Sequence, residues 1–183
     1  MDWARAVALA RRVEDRIEAA LSDRRVLAAV LLAATAWVFA LRYSVTAVHA
    51  SAGPDYGHYL IAQNWYALND HTGEGPFDPP AVPLLLSALA LPLGRLGALQ
   101  AAGPLAAASL VPTAFFLFSK FTPRWAAILT ALTLALWQQF TELMMFGGVT
   151  NLFGMAASFV VFRWFFEATE APRRGLRPTR KEV

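Results

Sequence analysis

Apolar residues in this chain stand in long blocks and not in the short repeats that soluble helices and strands show. Four blocks cover residues 26–44, 98–119, 125–145 and 150–168. Each is close to the roughly 20 apolar residues that a helix needs to cross a bilayer. The pattern therefore predicts an all-α, polytopic membrane protein with about four transmembrane helices in a membrane domain spanning 26–168.

The first 25 residues show a different pattern, in which apolar side chains recur at steps of three and four among charged ones. The apolar positions are Trp3, Val7, Ala10, Val13, Ile17 and Leu21. This spacing predicts an amphipathic helix over 1–25 that lies on the cytoplasmic membrane surface before the first span. A solvated helix that packs on a partner is the alternative.

Residues 45–97 form the longest interval that carries polar residues, and we predict that they make an external loop with two interfacial helices. The first covers about 55–68, and the second follows Pro79-Pro80. The apolar run 81–97 is interrupted by prolines and glycines, so it could instead be a short span.

Basic residues decide between these topologies, because cytoplasmic loops are rich in Lys and Arg. They are concentrated in the N-terminal helix, in the 120–124 loop and in the tail 169–183. All three regions are cytoplasmic only if 81–97 does not cross the bilayer. We therefore expect a multi-pass cell-membrane protein with four spans and cytoplasmic N- and C-termini.

Composition agrees with this class, since 57% of residues are hydrophobic and only 16% are charged, against about 25% charged in soluble domains. The net charge is +3, with the basic excess near the C-terminus. That distribution suits lipid headgroups better than nucleic acid, so the lipid bilayer is an expected partner and nucleic acid is not. The chain has no cysteine, which excludes disulfides and thiolate chemistry.

Ionisable residues near the predicted outer face are the candidates for chemistry. A carboxylate at headgroup depth can accept a proton or hold a divalent metal ion such as Mg or Mn. Asp55 is the candidate for that role, and His58, three residues on, could assist it or share a metal ion. Arg42, at the outer end of the first span, is a candidate ligand for a lipid phosphate.

Further candidates are Tyr59 in the loop, Glu142 in the third span and Asn151 at the start of the last span. Each candidate has a structural alternative, and for Tyr59 it is an ordinary aromatic belt at the membrane interface. Asp55 could cap an interfacial helix after Pro54, Glu142 could hydrogen-bond to a neighbouring helix, and Asn151 could cap the last span. No compact metal-ligand spacing is present in the loop.

The order of these motifs resembles the first external loop of GT-C superfamily glycosyltransferases, which include protein O-mannosyltransferases, aminoarabinose transferases and oligosaccharyltransferase catalytic subunits. The matching segments are PDYGHYLIAQNW, with Asp55 and Tyr59 four residues apart, and FDPPAVPLLL, which opens on paired prolines. The resemblance covers 26 to about 125. It departs from the family at Asp78, where a basic residue is common, and in its small number of spans.

The resemblance implies a transferase that moves a sugar from a polyprenyl-phosphate donor on the extracytoplasmic side. Asp55 would be its general base or a metal ligand. The residues expected near the substrate are His58, Tyr59, Arg42, Glu142 and Asn151. A chain with so few spans would be a catalytic fragment or subunit that needs another membrane subunit or a second copy. The alternative is a non-catalytic structural or accessory subunit of a larger membrane complex, for which the small residues of 101–109 would favour close helix packing.

Overall fold

A computed structural model describes residues 3–46, 81–137 and 148–175 of the chain. Every regular element in these residues is a helix, as predicted. The helices are α1 (Trp3–Leu21), α2 (Arg24–Thr46), α3 (Ala81–Phe118), α4 (Arg124–Leu136) and α5 (Val149–Gly175).

Three of the helices in the described residues are long and apolar enough to cross a bilayer, which agrees with a membrane protein. The candidate segments are Arg24–Ser44, Val82–Phe118 and Val149–Glu170. The predicted spans 26–44 and 150–168 lie inside α2 and α5. Helix α5 continues past the predicted end at 168 to Gly175, and Glu170 in this extension pairs with Lys120.

Helix α3 bends at Gly94, whose φ of 71° and ψ of 166° are not helical. Glycine adopts this conformation readily because it has no Cβ. The bend separates one arm, 81–93, from a second arm, 95–118, so α3 is not a single straight rod. The predicted boundary between an interfacial helix and a span beginning at 98 therefore falls close to a real break. The depth of the first arm in a bilayer remains a prediction.

Helix α4 is shorter than the predicted span 125–145. It ends at Leu136, and Trp137 has an extended conformation with φ −57° and ψ 130°. Thirteen residues rise only about 20 Å, against a hydrocarbon thickness of about 30 Å. Residues 138–147, which complete the predicted span, lie outside the described residues.

The second arm of α3 is the centre of the bundle, and it packs against α2, α4 and α5. Its contact face is built from alanines that are almost fully buried, among them Ala102, Ala106 and Ala107. Small side chains let helix backbones approach closely, which is how membrane helices gain dispersion energy in the absence of a hydrophobic driving force. The small residues of 101–108 are thus used within the chain.

Contacts at one end of the bundle fix the helix directions. Lys120 Nζ lies 3.0 Å from Glu170 Oε2, and Arg124 contacts Glu18 and Ser22. The α1–α2 turn, the end of α3, the start of α4 and the later part of α5 therefore share one end, which we call the basic end. The opposite end, where Arg42 meets the end of α4, is called the Arg42 end.

Candidate functional site at the Arg42 end

Arg42 is buried, with only 6% of its surface exposed. Its guanidinium donates to the last turn of α4. Nε and Nη2 lie 3.3 Å and 2.9 Å from Ala135 O, and Nη2 lies 3.0 Å from Trp137 O. Arg42 therefore has a structural role, because it satisfies carbonyls at the point where α4 stops.

The geometry follows from the direction of both helices. The last carbonyls of a helix have no partner within the helix, and its C-terminus carries a partial negative charge. Side chains on a helix tilt toward its N-terminus. Arg42, near the end of α2, can therefore reach back along α2 to the shorter α4, which runs parallel to it.

The other end of α4 is also held from outside the helix. Pro123 at the N-cap position supplies no side-chain cap, but Glu18 Oε2 of α1 accepts the Arg124 N–H at 2.9 Å. The Arg124 side chain lies 3.6 Å from Glu18 Oε1 and donates to Ser22 Oγ at 2.6 Å. A carboxylate thus meets the positive end of α4 and a guanidinium meets its negative end.

A pocket of about 550 Å³ lies beside the bend in α3. It is lined by Phe39, Tyr43, Leu93, Leu96, Gly97, Gln100 and Ala101. The Phe39 and Tyr43 rings stack with centroids 5.7 Å apart. The residues from α3 recur at three- and four-residue steps and so occupy one side of that helix.

The lining of this pocket is mainly apolar, with Tyr43 and Gln100 as its polar side chains. A Cβ at Gly97 would lie 3.2 Å from the Leu93 Cβ, so the lining is closely packed at this point. Arg95 precedes lining residue Leu96 and is exposed, but the helical period places it on the opposite side of α3 from the lining residues. The pocket can therefore take an apolar chain, with Tyr43 and Gln100 as its hydrogen-bonding groups.

Most of the residues predicted for the site lie outside the described part of the chain, namely Asp55, His58, Tyr59 and Glu142. Arg42 and Asn151 are both described and both lie at the Arg42 end. Arg42 turns into the protein against α4, whereas Asn151 is exposed in the first turn of α5. Because α5 begins at Val149, Asn151 lies within that turn instead of capping it.

A metal ion would need a cluster of suitable ligands. Within 3–46, 81–137 and 148–175, no group of three or more His, Asp or Glu side chains is placed to hold one. Asp55 and His58, the predicted ligands for Mg or Mn, are not among those residues. The metal therefore stays a prediction.

Several residues of this end were not predicted. Tyr43 and Phe39 are four residues apart on α2, a spacing that could have suggested a shared face. The acceptors for Arg42 are backbone carbonyls, which leave no mark in the sequence. The pocket itself depends on the exact position of the bend in α3, which the several prolines and glycines of 83–97 do not specify.

Comparison with known proteins adds no relative, since no protein family, no curated protein and no solved structure matches the chain.

Proposed function

We propose that this protein is a GT-C-like glycosyltransferase, or a catalytic fragment or subunit of one, that handles a polyprenyl-phosphate-linked sugar at the Arg42 end. In this proposal Asp55 is the general base or a ligand of a divalent metal ion. Another membrane subunit or a second copy would complete the site.

The pocket beside the Gly94 bend is the observation that carries the proposal. It offers an apolar wall for a prenyl chain, and it lies where the predicted donor-binding loop leaves the bundle. Tyr43 of the lining stands three residues before the end of α2 at Thr46. Asp55 follows Thr46 by nine residues, which span at most about 30 Å when extended.

Topology supports the same assignment. Arg24, Arg25, Lys120 and Arg124 all belong to the basic end. The excess of Lys and Arg in cytoplasmic loops would make the basic end cytoplasmic. The pocket would then open on the extracytoplasmic side. This is the side on which the GT-C glycosyltransferases that the chain resembles use polyprenyl-phosphate sugars.

Neither described arginine at this end is assigned to the lipid phosphate in this proposal. Arg42 supports the site by holding the end of α4, where it donates to carbonyl oxygens. Arg95 is exposed, but it lies on the side of α3 opposite the pocket lining.

The accessory-subunit alternative was motivated by the small number of spans and by the small residues of 101–109. The alanines among those residues are buried against helices of the same chain. A partner would have to use another surface.

The test uses full-length protein in proteoliposomes. Donor consumption is followed with tritiated mannose or aminoarabinose carried on undecaprenyl phosphate, and binding is followed with undecaprenyl phosphate alone. Loss of a general base lowers rates by about 10²–10⁴-fold, so we expect Asp55→Asn to lose activity on that scale. Asp15→Asn, on the exposed surface of α1, is the matched control.

Leu96→Trp is expected to weaken undecaprenyl phosphate binding by filling the pocket, while leaving the fold intact because Leu96 is 56% exposed. Equal activity of Asp55→Asn and wild type would remove Asp55 from the mechanism. Unchanged binding in Leu96→Trp would exclude the pocket as the donor site.

A further inference from the structure

Helix α1 presents its apolar side to the outside of the protein. Trp3, Val13 and Ile17, on the apolar stripe, are 75%, 47% and 42% exposed. The end of the stripe is covered, because Leu21 is buried in a cluster with Ala127 and Ile128 of α4, and Val7 is half-buried. A helix about 28 Å long therefore carries an apolar face that the described residues do not cover.

The orientation of this face is fixed by the bundle. Glu18 holds the first turn of α4, and Ser22 accepts a hydrogen bond from Arg124. A short turn, Ser22-Asp23, then leads directly into α2. Because α2 is a candidate membrane span that begins at Arg24, α1 lies at the level where that span enters the bilayer.

Three of the four arginines of α1 lie on one side of the helix, while the fourth, Arg11, lies among the acidic residues of the helix. Arg5, Arg12 and Arg16 are separated by seven and four residues, so they share one side of the helix, and all three are exposed. Glu18 faces the other way, toward α4. The side of α1 directed away from the bundle is thus cationic and borders the exposed apolar stripe.

We propose that α1 is a docking helix for anionic lipid, with its apolar stripe inserted into the leaflet that α2 enters and its arginines on the headgroups. The observations that select a membrane as occupant are the direct continuity of α1 with a spanning helix and the cationic flank. Amphipathic helices with an apolar face and a basic polar face bind interfaces in this way, and anionic lipids strengthen the binding. The inference does not depend on the transferase proposal.

The absence of cysteine makes a direct test practical in full-length protein. Ala10→Cys and Ala19→Cys place a single thiol on opposite sides of α1, since nine residues at 100° each amount to half a turn beyond two full turns. Both alanines are exposed. Each variant is labelled with bimane and reconstituted in vesicles of phosphatidylcholine, with or without 30 mol% phosphatidylglycerol, that contain a doxyl-labelled quencher lipid.

We expect at least twofold stronger quenching at position 10 than at position 19, with a further increase when phosphatidylglycerol is present. Arg5, Arg12 and Arg16 are then replaced together by Gln. Each basic residue near an anionic surface changes the docked-to-undocked ratio about fivefold, so the triple variant should lose the increase that phosphatidylglycerol produces. The same charge change in the tail, Arg177, Arg180 and Lys181 to Gln, is the control and should preserve it.

Equal quenching at positions 10 and 19 would overturn the proposal. So would disulfide-linked dimers of unlabelled Ala10→Cys in vesicles, because they would show that a second copy occupies the stripe. If the tail control also lost the increase in quenching that phosphatidylglycerol produces, that increase would depend on the net charge of the protein and not on α1, which would likewise contradict the proposal. None of these outcomes bears on the activity of Asp55→Asn, so the two proposals fail separately.

Discussion

Replacement of Arg42 by Met is the sharpest test of how α4 is held. Methionine keeps an unbranched side chain of moderate length and removes the guanidinium. Ala135 O and Trp137 O would then lose the donors that they have in the native protein. Little water is available to replace those donors, because Arg42 is buried and Ala135 is fully buried.

The magnitude is a difference between two opposing contributions. A hydrogen bond to a charged group contributes about 1.5–3 kcal/mol, so two accepting carbonyls correspond to about 3–6 kcal/mol. Removal of an arginine from within a membrane helix recovers about 2.5–3.5 kcal/mol. The loss of the hydrogen bonds should exceed the gain from removing the charge, because the carbonyls stay unsatisfied in the variant. We therefore expect a net loss of about 1–3 kcal/mol in the free energy of unfolding.

The assay is reversible unfolding by SDS in mixed micelles, followed by circular dichroism and tryptophan fluorescence. Arg25→Met is the matched control on the same helix, because Arg25 is exposed near the start of α2 and such surface changes usually stay within about 0.5 kcal/mol. Arg42→Lys should fall between the two, since it keeps the charge but lacks the planar fork of donors. Amide hydrogen exchange should also rise in the last turn of α4.

The reasoning would be refuted if Arg42→Met were as stable as Arg25→Met. That result would mean that the carbonyls at the end of α4 find other donors, and that Arg42 is free to act on a ligand. Faster exchange spread evenly over α2 would instead indicate general loss of packing.

Two further predictions use the same unfolding assay. Glu18→Ala should lower the free energy of unfolding by about 1 kcal/mol, as loss of a helix N-cap does. Glu18→Gln should lower it less, because an oxygen acceptor for the Arg124 N–H remains. Equal losses in the two variants would show that only the charge of Glu18 matters. Gly94→Ala should lower the free energy of unfolding by about 1–3 kcal/mol through backbone strain. Steric overlap does not contribute, because no atom lies within 4 Å of the place that the new Cβ would take. Gly154→Ala, inside α5 and equally free of steric contact, should stabilise the protein by about 0.5–1 kcal/mol, and a matching loss at both glycines would contradict the assignment of strain to Gly94.

Helix positions were predictable because a bilayer requires long apolar runs. The limits of α2 and the start of α5 lie within a few residues of the predicted spans 26–44 and 150–168. Lys120 and Arg124 were predicted to lie on the same side as the N-terminal helix from the distribution of basic residues, and Arg124 does contact Glu18 of α1; which side of a membrane this is stays a prediction. These features depend on composition over many residues and do not require knowledge of any single contact.

The end of α4 could not be predicted, because the side chain that meets its last carbonyls comes from another helix. Residues 125–145 read as one apolar run with polar Gln138, Gln139 and Glu142 near its end, and helix propensity does not mark Leu136 as a stop. The stop coincides with the carbonyls that Arg42 reaches. The sequence suggested Arg42 as a phosphate ligand because an arginine there is conspicuous, and the structure shows that it donates to backbone carbonyls of Ala135 and Trp137.

The two charges that hold α4 also suit the direction in which it runs. That direction is set by the short connection 119–123, whose hydrogen-bonded turns keep the start of α4 beside the end of α3. The sequence of α4, RWAAILTALTLAL, has no charge after Arg124, so the groups that complement its negative end must come from another helix. Glu18 of α1 meets the positive end of α4, and Arg42 of α2 meets the negative end. In a reversed α4 both contacts would be repulsive, so the two charges favour the same direction that the connection requires.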